Sequence, residues 1–185
     1  QKDIGETYNP MDGVFQSMLG EYADITNSLP GEYGEPSLDA LRIAQRAKHE
    51  KYFMQLGLFE GATLLDIGCG WGPFMNYCRG RGVIASGITL STAQYDYLKK
   101  EGFDVYLSSW QDFDAKGKLY YAVSAIGSPE HFVSPEDVDA GRQADVYRHL
   151  FEKVSSMLKP QGTFGGQFMT WNGNPPKTED LNPGA

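Results

Sequence analysis

Apolar positions along the chain follow two different periods, which predict helices and strands in alternation. Between residues 38 and 56 they recur at helical spacing, and Ser37 just before them is a suitable N-cap. After Gly57, short apolar runs of strand length alternate with longer helical patterns. The predicted strands cover residues 63–67, 83–88, 103–107, 119–126 and 163–169, and the predicted helices between them cover residues 73–79, 91–101 and 141–158.

This alternation predicts an α/β fold, a Rossmann-like, doubly wound and mostly parallel sheet with helices on both faces. Ligands of such sheets bind beyond the carboxyl ends of the strands. We divide the chain into an irregular N-terminal segment, residues 1–36, on the substrate side, a sheet domain, residues 37–170, and a Pro/Gly/Asn-rich tail, residues 171–185. One short helix is predicted inside the first segment, at residues 14–19.

Composition narrows the classes of function. The 185 residues are 41% hydrophobic and carry a net charge of −8, as expected of an acidic globular protein. Such a charge disfavours binding to nucleic acids or anionic membranes, and no apolar run is long enough to span a bilayer. The two cysteines, Cys69 and Cys78, form neither a disulfide framework nor a metal-ligand spacing. We therefore predict a cytoplasmic protein with no metal, no nucleic-acid partner and no stable membrane insertion.

The first predicted strand leads into a glycine-rich turn, Asp66-Ile67-Gly68-Cys69-Gly70-Trp71-Gly72, and then into a helix. Glycines let the backbone adopt positive φ and approach a ligand closely, and the first turn of a helix offers free N–H groups to a carboxylate. Dinucleotide enzymes use a similar turn, so the turn alone predicts only a ligand with an anionic group.

Polar and aromatic side chains follow the next two predicted strands. Thr89 and Gln94 are the nearest hydrogen-bonding groups after the second strand, where no acid is present. Trp110 and Gln111 follow the third, where a Trp face can cover a base and a polar neighbour can meet its amino group. All four fall at the edge where the ligand is expected.

Three motifs in order resemble those of class I S-adenosylmethionine (SAM) dependent methyltransferases of the cyclopropane-fatty-acid-synthase-like branch, which includes the mycolic acid methyltransferases. They are the glycine string from Leu64 to Gly72, the segment Gly87-Ile88-Thr89-Leu90-Ser91 with Gln94, and the segment from Ala125 to Phe132. The similarity runs from about Ser37 to Met169. It implies SAM as cofactor and a small-molecule or acyl-chain substrate.

The resemblance also implies roles for individual residues. Glu130, which in the family helps to hold a bicarbonate base, and His131 are the candidate catalytic residues. Gly127 and Gln167 are assigned to a substrate or anion pocket. The cofactor-binding candidates are Asp66, Gly68, Gly70, Gly72, Thr89, Leu90, Gln94, Trp110, Gln111 and Ile126.

The chain departs from the family pattern on the acceptor side. The family carries a Cys in its N-terminal segment, whereas the matching region here, around Thr26-Asn27-Ser28, has none. Its fifth-strand His is replaced by Gln167. No pattern for the last two strands of the class I fold follows the fifth strand. We therefore expect either that the tail is truncated and the chain is a fragment, or that a second copy or a partner completes the sheet edge.

Three functions stay open from the sequence. The leading prediction is a methyltransferase that methylates a carbon of an apolar small molecule, acyl chain or natural-product intermediate. The first alternative is a cyclopropane synthase that adds a SAM methylene across an acyl-chain double bond. The second alternative is a SAM-binding scaffold without catalysis, suggested by the replaced ligands.

Overall fold

A computed structural model describes residue 35 and residues 37–169. The predicted helix at residues 14–19, the rest of the N-terminal segment apart from residue 35, and the tail 171–185 lie outside the described residues. Along the described chain the elements are α1 Leu38–Gln55, β1 Thr63–Ile67, α2 Pro73–Arg79, β2 Ile84–Thr89, α3 Thr92–Lys100, β3 Asp104–Leu107, β4 Tyr120–Ile126, a 3₁₀ turn Pro129–His131, α4 Pro135–Asp139, α5 Gln143–Met157 and β5 Leu158–Gln167. No helix among them is long and apolar enough to cross a membrane.

The five strands form one sheet in the order β3-β2-β1-β4-β5, and every neighbouring pair is parallel. The chain starts in the middle at β1, winds outward to β3, and returns across β1 to β4 and β5. The order therefore reverses between β1 and β4, the position where open α/β sheets bind their ligands. The predicted Rossmann-like fold is confirmed.

The sheet is buried on both faces, which explains its apolar strands. Leu65 and Val123 point to one face, where they pack with Leu150 and Val154 of α5. Leu64 and Ala122 point to the other, where they pack with residues of α2 such as Phe74. Side chains alternate along a strand, so a strand covered on both faces reads as a continuous apolar run.

The largest difference from the predicted bounds is at the start of the fifth strand, and the other ends differ by two residues or fewer. We expected Lys159-Pro160 to end the last helix and the fifth strand to begin at residue 163, but β5 begins at Leu158. Tyr120 pairs with Leu158 and Ala122 pairs with Thr163. Tyr121 alone therefore lies opposite the four residues 159–162. This irregularity, with Gln161 at φ 64°, accommodates a proline that cannot donate a ladder hydrogen bond.

Candidate active site

The glycine-rich turn lies directly after β1, at the carboxyl edge of the sheet. Gly68, Gly70 and Gly72 have φ values of 70°, 56° and 76°, a region that other residues adopt only with strain. Gly72 is the N-cap residue of α2, and no side chain caps that helix end. Because no side chain caps this helix end, an anionic ligand group can approach the backbone N–H groups of its first turn.

The three glycines are required for different reasons. A Cβ on Gly68 would lie 2.5 Å from the Cβ of Ser128, and a Cβ on Gly72 would lie 2.5 Å from Cδ2 of Leu98. A Cβ on Gly70 would meet nothing within 4 Å in the part of the chain that the structure describes. Gly68 and Gly72 are therefore packed against protein, while Gly70 faces open space, as expected of the position nearest a cofactor.

Asp66 lies in β1, two residues before Gly68. Its carboxylate is buried and accepts a hydrogen bond of 2.7 Å from the hydroxyl of Ser124, its partner across the β1–β4 ladder. Burial, followed by the charge of Asp66, raises the pKa of the neighbouring Cys69 thiol well above its usual value. The carboxylate thus braces the base of the turn, and its predicted contact with the cofactor stays a prediction.

After β2, Thr89 and Gln94 are buried and bonded to each other. The Thr89 hydroxyl donates to Oε1 of Gln94 over 2.7 Å and accepts from the backbone N–H of Ser91 over 3.1 Å. Because the carbonyl end of the Gln94 amide is used by Thr89, its NH₂ end is the part able to meet a ligand. Leu90, which follows Thr89 in the sequence, is half-buried.

After β3, Trp110 forms part of the wall of the site. Its indole is 5% exposed and packs against the rings of Phe132 and His149, with centroids 5.6 and 5.7 Å apart. Among the described residues, neither the indole Nε1 nor the buried Oε1 of Gln111 has a hydrogen-bond partner. Buried polar atoms without partners are rare in folded proteins, and both suit the edge of a purine with an amino group.

The loop after β4 touches the glycine turn. The Ser128 hydroxyl donates to the carbonyl of Ile67 over 2.7 Å, at the last residue of β1. The 3₁₀ turn that follows places Glu130 with both carboxylate oxygens buried and, within the described chain, without a partner. The side chain of His131 is exposed, so the structure brings Glu130 but not His131 into the buried cluster.

Gln167 ends β5 beside this loop. It is paired with Ile126 across the β4–β5 ladder, and its carbonyl accepts a 3.2 Å hydrogen bond from the N–H of Gly127. Its side-chain Oε1 is buried and has no partner among the residues the structure describes. The predicted pocket residues therefore do lie together, at the ends of β4 and β5.

Two residues of this region were not predicted. Ser128 lies within the motif from Ala125 to Phe132, and its small side chain is what Gly68 packs against. The Tyr147 hydroxyl donates to the carbonyl of Pro129 over 3.2 Å, from α5. The sequence spacing gave no sign of this second contact, because 18 residues separate the partners.

Comparisons with known proteins agree with this geometry. The family model described as mycolic acid cyclopropane synthetase matches residues 1–178. The cyclopropane mycolic acid synthase MmaA2 of Mycobacterium bovis is 31% identical over 171 residues, 87% of this chain and 53% of the relative. The cyclopropane-fatty-acyl-phospholipid synthase of Escherichia coli is 33% identical over 157 residues, 78% of this chain and 38% of the relative. The chain thus spans about half or less of the length of these relatives.

Solved structures show the same fold. The cyclopropane synthase MmaA2 from Mycobacterium tuberculosis has a TM-score of 0.69 at 28% identity, over 88% of this chain and 54% of that one. A mycolic acid cyclopropane synthase solved in complex with SAH and CTAB has a TM-score of 0.66 at 25% identity, over 86% of this chain and 53% of that one. Coclaurine N-methyltransferase bound to N-methylheliamine and SAH, at 19% identity and a TM-score of 0.65 over 81% of this chain and 41% of that one, shares the fold alone.

Proposed function

Because the chain belongs to the mycolic acid cyclopropane synthetase family, we propose that it transfers the methyl group of SAM to a carbon of an apolar acceptor, such as an alkene carbon of an unsaturated acyl chain. The relatives supply the acceptor class, since their names refer to mycolic acids and fatty acyl phospholipids. The site supplies the argument for how the reaction proceeds.

SAM is the cofactor of this family, and the residues present fit it. Open space at Gly70 leaves room for the cofactor against the turn, and the uncapped first turn of α2 can donate to its carboxylate. The amide NH₂ of Gln94 is available to the ribose, and the unpartnered Oε1 of Gln111 is available to the adenine amino group. When bound, the cofactor supplies a methyl group on a positively charged sulfur.

The observation that carries the proposal is the environment of Glu130. Both of its carboxylate oxygens are buried and lack partners in the described chain, an arrangement that costs folding free energy. Ser128, two residues earlier, contacts Gly68 of the glycine turn, so Glu130 lies close to the cofactor side of the site. A carboxylate at this place can stabilise positive charge that develops on the acceptor and then accept a proton from it.

A bicarbonate base, which the family resemblance implies beside Glu130, would lack a cationic neighbour among the described residues. The unpartnered side-chain atoms at the ends of β4 and β5 are the carboxylate oxygens of Glu130 and Oε1 of Gln167. An anion beside a buried carboxylate needs cationic or strong donor neighbours. None of the hydrogen bonds or ion pairs of the described residues brings a Lys, Arg or His side chain to Glu130. We propose that Glu130 itself accepts the proton.

A second candidate is cyclopropane formation, which the names of the relatives favour. The two reactions differ in which proton leaves. Loss of a proton from the acceptor chain gives a methylated alkene, whereas loss of a proton from the newly added methyl closes a three-membered ring. Both products contain the same added carbon and differ in unsaturation.

The test uses SAM labelled in its methyl group and vesicles of a dioleoyl phospholipid. Label in the acyl chains supports the proposal, and proton NMR of the released fatty acid distinguishes a methylated alkene from a cyclopropane. Glu130→Gln removes the base while keeping its size, so we expect product formation to fall at least about a hundredfold. Glu152→Gln, an exposed glutamate on α5, is the matched control. Full activity of Glu130→Gln contradicts the proposed role.

A further inference from the structure

Tyr147 joins the two strand ends that form the acceptor side of the site. It lies half-buried on α5, where its hydroxyl donates to the carbonyl of Pro129, the residue before Glu130, over 3.2 Å. Its ring packs edge-on against Phe168, the residue after Gln167, with centroids 5.8 Å apart. One side chain therefore contacts the immediate neighbours of both Glu130 and Gln167.

The backbone of the turn depends on few hydrogen bonds. The carbonyl of Ser128 accepts from the N–H of His131 over 3.1 Å, and the carbonyl of Pro129 accepts from the N–H of Phe132 over 3.0 Å. Pro129 has no N–H of its own to donate. The Tyr147 hydroxyl is the second donor to the Pro129 carbonyl and comes from a different element.

Glu130 needs such support because no residue of the described chain bonds to its carboxylate. Its oxygens have no partner in the described chain, so the direction of its side chain is set by the backbone of the turn and by packing. Burial first, and then the charge of Glu130, raises the pKa of Tyr147. The hydroxyl consequently remains a protonated donor at neutral pH, and Glu130 lies within its electrostatic reach.

We propose that Tyr147 is a positioning residue, which fixes the turn Pro129–His131 so that the Glu130 carboxylate stays aligned with the reacting carbon. This inference rests on the proposed function, since it assumes that Glu130 accepts the proton. It predicts a defect in turnover without a defect in cofactor binding, because no contact links Tyr147 to the glycine turn or to Gln94 among the hydrogen bonds and ring contacts of the described residues.

Tyr147→Phe tests the inference, because it deletes the hydroxyl and keeps the ring on Phe168. With labelled SAM and dioleoyl vesicles, we expect kcat to fall about tenfold, since small misalignments of a reacting group are costly, while KM for SAM is unchanged. In amide hydrogen exchange, the N–H groups of His131 and Phe132 should exchange about fivefold faster, the effect of one typical hydrogen bond. Tyr121→Phe, a half-buried tyrosine of β4, is the control.

Each result has a defined meaning. Unchanged exchange in the turn, or a kcat equal to that of Tyr121→Phe, overturns the role of Tyr147. Faster exchange throughout the sheet together with a lower unfolding midpoint also overturns it, because the defect would then be general. Activity lost in Glu130→Gln but kept in Tyr147→Phe contradicts only this inference. If the wild-type protein leaves the vesicles unlabelled, the proposed acceptor is wrong, and hydrogen exchange of the SAH-bound protein then decides the role of Tyr147.

Discussion

Replacing Gly70 by alanine separates the needs of the cofactor from the needs of the fold. The other two glycines of the turn cannot do so, because a Cβ on either would come within 2.5 Å of a neighbouring side chain. At Gly70 a Cβ would meet nothing within 4 Å among the described residues. The substitution therefore probes the open side of the turn, where the cofactor is proposed to bind.

The cost to the fold can be worked from the backbone. Gly70 has φ 56°, in the left-handed region, where an L-residue costs about 1–2 kcal/mol relative to glycine. No steric contact adds to this cost. For a protein of this size, the loss corresponds to an unfolding midpoint lower by about 2–8 °C.

Gly102→Ala is the matched control. Gly102 has φ 75°, and a Cβ there would also meet nothing within 4 Å, but it follows α3 and lies away from the proposed cofactor contacts. Both variants should lose the same stability. Only Gly70→Ala should lose cofactor affinity, by at least tenfold or about 1.4 kcal/mol, since its Cβ projects into the space assigned to the cofactor.

Calorimetric titration with SAM and SAH measures the affinity, and thermal unfolding with and without saturating SAH measures the stability. We expect SAH to raise the midpoint equally in the wild type and in Gly102→Ala, and much less in Gly70→Ala. An unchanged dissociation constant for Gly70→Ala would refute the reasoning, because the open side of the turn would then not be where the cofactor lies. The larger Gly70→Val should abolish binding for the same reason.

Three further predictions concern the proposed contact with the adenine, the hydrophobic core, and the pH dependence of stability in acid. Gln111→Leu removes the unpartnered acceptor assigned to the adenine amino group, so calorimetry should show SAM affinity lower by about tenfold with little change in unfolding; unchanged affinity would exclude that contact. Leu98→Ala removes a fully buried side chain packed behind Gly72 and should cost about 2–5 kcal/mol in urea unfolding, whereas a loss well below 1 kcal/mol would mean that this core site is loosely packed. Burial opposes ionisation of Asp104, but the hydrogen bond from Ser86 and the charge of Lys118 together lower its pKa below 3.8. The ionised carboxylate therefore stabilises the fold above pH 3.8, and this stabilisation is lost as the pH falls through the lowered pKa. In Asp104→Asn the free energy of unfolding should therefore decrease less steeply below pH 3.8 than in the wild type. The same pH dependence in both proteins would contradict the assignment.

The elements near the cofactor could be predicted from the sequence because their signals are local. The strand Thr63–Ile67 and the helix Pro73–Arg79 have the predicted bounds, since an apolar run ends in glycine and a proline occupies the first turn of the helix. Ser37 and Ser91 cap their helices as expected, each accepting from a backbone N–H three residues later. Each of these features depends on residues within a few positions.

The features that could not be predicted depend on distant partners. The early start of β5 follows from pairing of Leu158 with Tyr120, which no local pattern around Lys159-Pro160 reveals. Glu130 and His131 are adjacent in sequence and are both candidate catalytic residues, yet only the Glu130 carboxylate is buried. Side-chain burial after a turn is set by what packs against the turn, and the tyrosine that does so comes from α5.

The cofactor side of the site is packed more tightly against the core than the acceptor side. This difference affects how the reaction can vary among relatives. The glycine turn is fixed by Ser128 against Gly68 and by Leu98 against Gly72, both close enough that an added methyl group would collide. A change there disturbs the core together with the cofactor. The acceptor side instead depends on one short turn and on Gln167, the last residue of β5, the outer strand of the described sheet. Substitutions on that side can change which acceptor binds or which proton leaves, while the methyl donor stays in place. We therefore expect differences in product between this chain and its relatives to be caused by sequence differences at the ends of β4 and β5.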